Sequence, residues 1–294
     1  MVKRDNDSSR CIRTPRLFIW AREALYLGTC KSRQTAHRTT QEKLVLSLQG
    51  SLKLLTPQGS RISVRSCLLP TDLWLDRNIL DASEAVIGVY YLASFSQDYA
   101  ALASIMQPAQ PGIYHSHPNE HAIIQIALDI RNRKQICPIQ ACEQLRAQLI
   151  PSELANRVFR EFDPRVIAVA KHIRETLLQK VMLADLARKV RLSSSRLEKL
   201  FKAQTGLAIT TYRMRCRVFI STILMALGYS MTEAALCAGF ANSAHLSRSY
   251  RAINGITPSA LFLRPPYLDT TIDPSAMELL TPFLEPSLAA NHYA

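Results

Sequence analysis

The chain has 294 residues, 48% of them apolar, and 36 Lys/Arg against 23 Asp/Glu give a formal net charge of +13. That length exceeds the usual single domain, so two domains are expected, and the longest apolar runs fall short of the roughly 18 residues that a membrane-spanning helix needs. Seven cysteines without a framework read as free thiols in a reducing compartment. With the polar start Met1-Val2-Lys3-Arg4-Asp5-Asn6-Asp7, which lacks the apolar stretch of a signal peptide, they make the cytoplasm the expected location.

In chain order, 25–76 reads as short strands: Lys43-Leu44-Val45-Leu46-Ser47-Leu48, then Leu52-Lys53-Leu54-Leu55, then Arg61-Ile62-Ser63-Val64-Arg65, then Cys67-Leu68-Leu69, closed by Pro70. Alternation broken by Gly and Pro turns predicts antiparallel β-structure, and Ala85 to Ser94 is a further β-branched run. Helical patterning begins near Gln97, recurs at 119–131 and 139–150, and 151–162 reads as a helix-rich connection. From Asp163 the period is helical almost to Leu263. The last thirty residues, with Pro265-Pro266, Pro274, Pro282 and Pro286, read as a poorly structured tail. The expected division is therefore 1–150, a linker at 151–162, 163–264, and a tail at 265–294.

Charge is concentrated in the helical stretch, where 163–262 hold 15 Lys/Arg against 5 Asp/Glu. A compact basic segment favours a polyanion, because neutralised phosphates release condensed counterions. The same stretch repeats one pattern. A short helix at 183–190, a turn at Arg191-Leu192-Ser193 and a helix from Ser194 to Gln204 are stopped by Thr205-Gly206. A second short helix at 232–238, a turn at Gly239-Phe240-Ala241-Asn242 and a helix from Ser243 to Ile253 are stopped by Asn254-Gly255. Ser and Thr ahead of the helices serve as N-caps, Gly206 and Gly255 as left-handed C-terminal caps, and Ala187 and Ala235 as small residues at close helix crossings. Gly239 supplies the positive φ that such a turn prefers; Arg191 holds the matching place at a cost of about 1 kcal/mol. Leu197, Leu200 and Phe201, and Leu246, Tyr250 and Ile253, fall on inward faces. Between the copies, Thr210 to Leu227 reads as one helix with an apolar stripe at Tyr212, Cys216, Phe219, Ile223 and Leu227. At 1.5 Å per residue it spans roughly 27–30 Å, close to the ~34 Å turn of B-DNA, so two reading helices can enter successive major grooves.

Two clusters elsewhere carry residue types that could bear chemistry. His115-Ser116-His117-Pro118-Asn119-Glu120-His121 offers three imidazoles, but Pro118 and Asn119 favour a surface turn with solvated rings, so no metal site is assigned. Cys137 and Cys142 face differently if helical and read as buried or idle thiols. No catalytic set and no cofactor are expected.

The run Ala235-Leu-Cys-Ala-Gly239-Phe240-Ala-Asn242-Ser-Ala-His-Leu246-Ser247-Arg248-Ser-Tyr250-Arg251, ending in Gly255-Ile-Thr257-Pro258-Ser259, resembles the AraC/XylS family of bacterial regulators. Leu186-Ala187, Ser193, Leu197, Leu200-Phe201-Lys202, Gly206 and Arg217 fit the same pattern, which covers about 100 residues; Arg191, Ser221 and Phe262 depart from it. The resemblance implies an α+β chain: an N-terminal cupin-like β-barrel with flanking helices, and an all-α C-terminal domain with two helix-turn-helix units joined by a long helix. It implies a sequence-specific transcription regulator that reads double-stranded DNA through Ser194, Ser195, Glu198, Lys199 and Lys202, and through Ser243, Ala244, His245, Ser247, Arg248 and Arg251. It further implies a small-molecule effector at unassigned residues, RNA polymerase as a partner if the protein activates, and nucleoid association when bound to DNA. A homodimer would be packed through Ile123, Ile124, Ile126, Ala127, Leu145 and Leu149. The alternatives are a non-specific architectural DNA binder, which Glu198 on a reading face disfavours, and a cupin enzyme or alkyl-transfer repair protein fused to a DNA-binding module.

Overall fold

The computed structural model describes residues 14–29, 35–133, 135–265, 267–281 and 283. The polar start at 1–7, Cys11, Cys30, Pro266, Pro282 and Pro286 lie outside them.

The first half is strand-rich. Its elements are β1 (Arg16–Ile19), β2 (Ala24–Thr29), β3 (His37–Arg38), β4 (Lys43–Gln49), β5 (Leu52–Leu55), β6 (Arg61–Val64), β7 (Ser66–Leu69), β8 (Trp74–Leu75), β9 (Leu80–Asp81) and β10 (Val86–Tyr91). Helix α1 (Asp98–Ile105) and strands β11 (Gln107–Gln110) and β12 (Ile113–His115) follow. The half ends in α2 (Glu120–Asn132), α3 (Pro138–Leu149) and the single turn α4 (Ser152–Ala155), so the connection at 151–162 holds far less helix than its sequence predicts.

Eight strands form one sheet in the order β11-β12-β7-β4-β10-β2-β1, with a strand from the far end of the chain outermost; β3-β8 and β6-β5-β9 make two small sheets. The barrel expected here is not closed among the described residues, because β11 and the last strand end the sheet as separate edges. The physical reason is a layered core. Along β4, Leu44, Leu46 and Leu48 pack with Ile123, Ile124 and Ala127 of α2 and Leu145 and Leu149 of α3. Val45, on the opposite face, packs with Leu52 and Leu54 of β5 and Val64 of β6. Helices cover one face and the small sheet the other, so β4 and β10 are buried almost throughout, as strands covered on both faces are.

This packing also corrects the expected dimer seam. Ile123, Ile124, Ala127, Leu145 and Leu149 are buried in the core of their own protomer, and Ile126 is half-buried beside them. Helix α3 is pinned there by Arg146, which pairs with Asp98 of α1 at 2.7 Å and with Glu23 at 2.8 Å.

The second half contains α5 (Pro164–Glu175), α6 (Leu183–Lys189), α7 (Ser194–Thr205), α8 (Ile209–Ala226), α9 (Met231–Cys237), α10 (Ser243–Asn254) and α11 (Pro258–Phe262). Asp163 caps α5 by accepting from the Arg165 N–H, with Pro164 at the first helical position. The Arg165 guanidinium holds the Asp163 carboxyl down at about 2.

The expected tail is ordered where it is described. Residues Asp269–Ile272 form β13, parallel to β1 in the register Arg16↔Asp269 to Ile19↔Ile272, and α12 (Pro274–Met277) and a 3-10 turn (Glu278–Leu280) follow. The Arg16 guanidinium meets the Asp269 carboxylate at 2.8 Å while donating to the last carbonyls of α2 at Ile130 and Arg131. Ala276, Leu280 and Phe283 are buried in the helical core, which also takes in Leu17 and Ile19 of β1. The two halves are therefore packed together.

Candidate nucleic-acid interface

The capping chemistry read from the sequence sets both helix pairs. Ser193 accepts from the Arg196 N–H to start α7, and Asn242 accepts from the His245 N–H to start α10. A reciprocal Ser230–Glu233 capping box starts α9. Gly206 (φ +73°) and Gly255 (φ +71°) end α7 and α10 in the left-handed region, where glycine carries no Cβ penalty. The turns match the expectation too: Gly239 has φ +79°, and Arg191 adopts φ +55° in its place. The Arg217 guanidinium lies 3.3 Å from where a Cβ on Gly239 would stand, which gives that glycine a second reason.

Burial separates packing from contact surface. Leu197, Phe201, Leu246, Tyr250 and Ile253 are buried, as are Ala187 and Ala235 at the crossings. Ser195, Glu198, Lys199 and Lys202 of α7, and Ala244, Arg248 and Arg251 of α10, are exposed. Ser194, Ser243, His245 and Ser247 are half-buried, and the His245 ring stands edge-on to Phe240 at 5.3 Å. Helix α8 joins the pairs as 18 residues, about 27 Å of rod. Its apolar face is wider than the predicted stripe: Val218, Ile220, Leu224 and Met225 are buried with Tyr212 and Ile223, whereas Leu227 is a 40% exposed cap residue.

The positive charge of this half does not all face outward. Arg217 donates to the Leu177 carbonyl at 2.7 Å, and Arg213 donates to the Thr176, Leu177, Gln179 and Val181 carbonyls. These two side chains satisfy the acceptors that follow α5 instead of meeting a ligand. Arg215 turns the other way, onto the Thr40 carbonyl at 3.1 Å and the Ser94 hydroxyl at 2.7 Å.

Arg215 there borders a cavity of about 210 Å³ between the halves, which the sequence did not reveal. Apolar groups of Leu17, Val89, Val218 and Phe219 line it, and its charged lining is mixed, with Lys43, Arg77 and Arg215 beside Glu23, Asp76 and Asp81. Lys43 is buried, with its ammonium 5.8 Å from the Tyr91 ring centre.

The histidine cluster differs from its reading as solvated rings. His117 is buried, its Nε2 lies 2.9 Å from the Leu149 carbonyl, and its Nδ1 accepts from the Asn119 N–H. Only His121 of the three is exposed. Cys137 is exposed and Cys142 half-buried beside Glu23, where burial and that carboxylate push the thiol up to about 12.

Residues 186–264 match the family model of a helix-turn-helix domain. The structure of ToxT from Vibrio cholerae is similar to this chain with a TM-score of 0.50 and 14% identity, over 81% of this chain and 96% of its own. An apo lysine-to-alanine variant of ToxT from Vibrio cholerae strain SCE256 gives a TM-score of 0.53 and 14% identity, over 81% and 95%. A transcriptional regulator with an AraC-type DNA-binding domain from Chromobacterium violaceum is 22% identical over 40% of this chain and 95% of its own, with a TM-score of 0.32. No curated protein matches the chain. No helix among the described residues is long and apolar enough to cross a membrane.

Proposed function

We propose, on the premise that this chain is an AraC/XylS-type DNA-binding transcription regulator, that it reads a specific operator with α7 and α10 as paired recognition helices. The observation that carries this is the equivalence of the two helices. Each starts on a side-chain cap, ends on a left-handed glycine and presents exposed polar residues, and an 18-residue rod sets them apart. In this reading Lys199 donates to guanine O6/N7, Glu198 accepts from cytosine N4, and Arg248 grips a guanine or a phosphate. Lys202 and Arg251 hold phosphates, which position the protein without specifying sequence. Ser194, Ser195, Ser243, Ala244, His245 and Ser247 line the same faces.

In the same reading, 163–264 is the DNA-binding unit and 1–150 the effector-responsive one. The effector occupies the cavity between them, and the largely apolar wall, with Lys43, Arg77 and Arg215 set beside Glu23, Asp76 and Asp81, suits an apolar body carrying a polar or charged group. The protein acts as a bacterial cytoplasmic, nucleoid-associated homodimer, and contacts RNA polymerase if it activates. The test is a gel-shift series at fixed salt with a duplex selected from a random-sequence pool. Lys199→Ala and Arg248→Ala should each weaken the selected duplex by about 1–3 kcal/mol and leave scrambled DNA almost unaffected. Unchanged affinity in both variants defeats the assignment, and equal wild-type affinity for selected and scrambled DNA favours an architectural binder instead.

A further inference from the structure

The first half of the chain touches the second at two matched places. At the end of α7, the Thr71 hydroxyl donates to the Thr205 carbonyl at 3.2 Å. It packs so closely that a Cβ on Gly206 would stand 2.4 Å from it. At the end of α10, the Thr35 N–H and hydroxyl both donate to the Gly255 carbonyl, at 2.8 and 3.1 Å. There a Cβ on Gly255 would stand 2.5 Å from His37 Nδ1. Gly206 and Gly255 are the corresponding caps of the two helix pairs, so the same feature is held twice.

Both grips belong to one ribbon. β3 and β8 pair antiparallel, His37 opposite Leu75 and Arg38 opposite Trp74. Beyond that pair the Thr39 N–H donates to the Leu73 carbonyl and the Asp72 N–H to the Thr39 carbonyl, both at 2.8 Å. The Thr39 hydroxyl closes the turn by donating to Pro70 at 2.6 Å and accepting from the Leu73 N–H at 2.9 Å. Arg38 and Asp72 pair at 2.9 Å, and Asp72 sits at φ +62° in the bend that presents Thr71 to α7. The ribbon is thus a short, cross-bonded strut; from Thr35 to Thr39 it is about 13 Å at 3.3 Å per residue. Within the second half the two recognition helices are joined through α8, whose Val218, Ile223 and Leu224 share a core with Leu197 and Phe201 of α7 and with Leu246, Tyr250 and Ile253 of α10. Gly228 after α8 is exposed, at φ +95°, with open space where a Cβ would stand, so the turn into α9 adds no side-chain contact to that core, and the ribbon is a further, separate tie between the two helix ends.

We infer that the β3–β8 ribbon is a positioning device: Thr35, His37 and Thr71 set the separation of the two recognition helices, and through it the operator spacing that the protein accepts. The inference rests on the paired-helix reading above and adds what fixes the pair. Thr35 and Leu75 of the ribbon also line the cavity together with Tyr250, Ile253 and Asn254 of α10. A molecule held there bears on the strut and on one recognition helix at once, a physical route from occupancy to spacing.

The test uses the full chain and the duplex selected from a random pool, with its two contacted segments located by footprinting. One or two base pairs are then inserted between the segments, each adding about 3.4 Å and a tenth of a turn. Wild type should lose at least tenfold in affinity per inserted pair. The Thr35→Val, His37→Ala, Thr71→Ala triple variant should lose less than threefold, while binding a single-segment duplex as tightly as wild type. If the triple variant does not show a cooperative thermal melt, Thr71→Ala alone is read in the same way. The same dependence on insertion in wild type and variant overturns the inference. A pool that yields no preferred duplex with wild type removes the paired-helix reading and this inference with it, a result distinct from an unchanged spacing profile.

Discussion

His37 joins three observations at one side chain. The residue is 4% exposed, its Nδ1 lies 3.0 Å from the Thr35 carbonyl, and its Nε2 is buried with no hydrogen-bond partner among the described residues. Burial, with the Lys43 ammonium adding to it, pulls the imidazole down to about 4. The sign follows from proton counting. Between the ordinary histidine value near 6.5 and about 4, the unfolded chain binds a proton that the folded chain does not. Stability therefore falls as pH drops through that window and owes nothing to this group above it. His117, also lowered by burial, acts in the same direction. Urea midpoints at pH 7.5 and 4.5 should show wild type losing stability, and His37→Gln losing measurably less; an unchanged difference between the two pH values refutes the role. Residue by residue, what could be read from sequence was local. The caps at Ser193, Asn242, Gly206 and Gly255, and the strained φ at Arg191, depend on neighbours two to four positions away. What stayed hidden depends on distant chain. Nothing near Gly255 announces that His37 packs on it, and nothing in His115-Ser116-His117-Pro118 announces that the middle ring reaches the Leu149 carbonyl.

Among elements, β13 separates the readings most clearly. Asp269-Thr270-Thr271-Ile272 lacks apolar alternation and lies among prolines, so its sequence reads as tail. Its strand character comes from the open side of β1, to which it adds a parallel ladder, and from α8, where the Thr270 hydroxyl reaches the Ala226 carbonyl. Truncation after Leu263 should remove that ladder and the burial of Leu280 and Phe283, costing about 3–6 kcal/mol by side-chain area. Because β1 would then present free backbone donors and acceptors, the truncated protein should also self-associate at micromolar concentration. A denaturation midpoint and a light-scattering mass equal to wild type would count against both. Helices α2 and α3 carry the opposite lesson. Their apolar positions were legible, but periodicity says that a face is buried without saying against what, and the partner is the chain's own sheet.

For the whole molecule, fold class was legible and architecture only in part. Strand rhythm followed by helical rhythm gave α+β, but closure depends on which strands become edges, and that is decided by the late strand β13. The cavity is likewise a property of two surfaces brought together, β1, β4 and β10 on one side and α8 and α10 on the other. Val218, buried in its wall, offers a test at this scale. Val218→Trp should fill much of the 210 Å³ space. A panel of apolar carboxylates that raises the melting temperature of wild type should leave the variant unshifted, with its own melting temperature within a few degrees of wild type. A variant that still responds to the same compounds places their site elsewhere.

The position of β13 also orders events in synthesis. Ala21 and Ser275, 254 residues apart, are joined by a hydrogen bond beside the β1–β13 ladder. A nascent first half leaving the ribosome therefore has the β1 flank unpaired until the helices α5 to α11 have also been made, and at about 5–20 residues per second that exposure lasts many seconds. Chaperone demand should peak during this interval, and a maturing copy cannot seal its sheet without first drawing its far end back against its beginning.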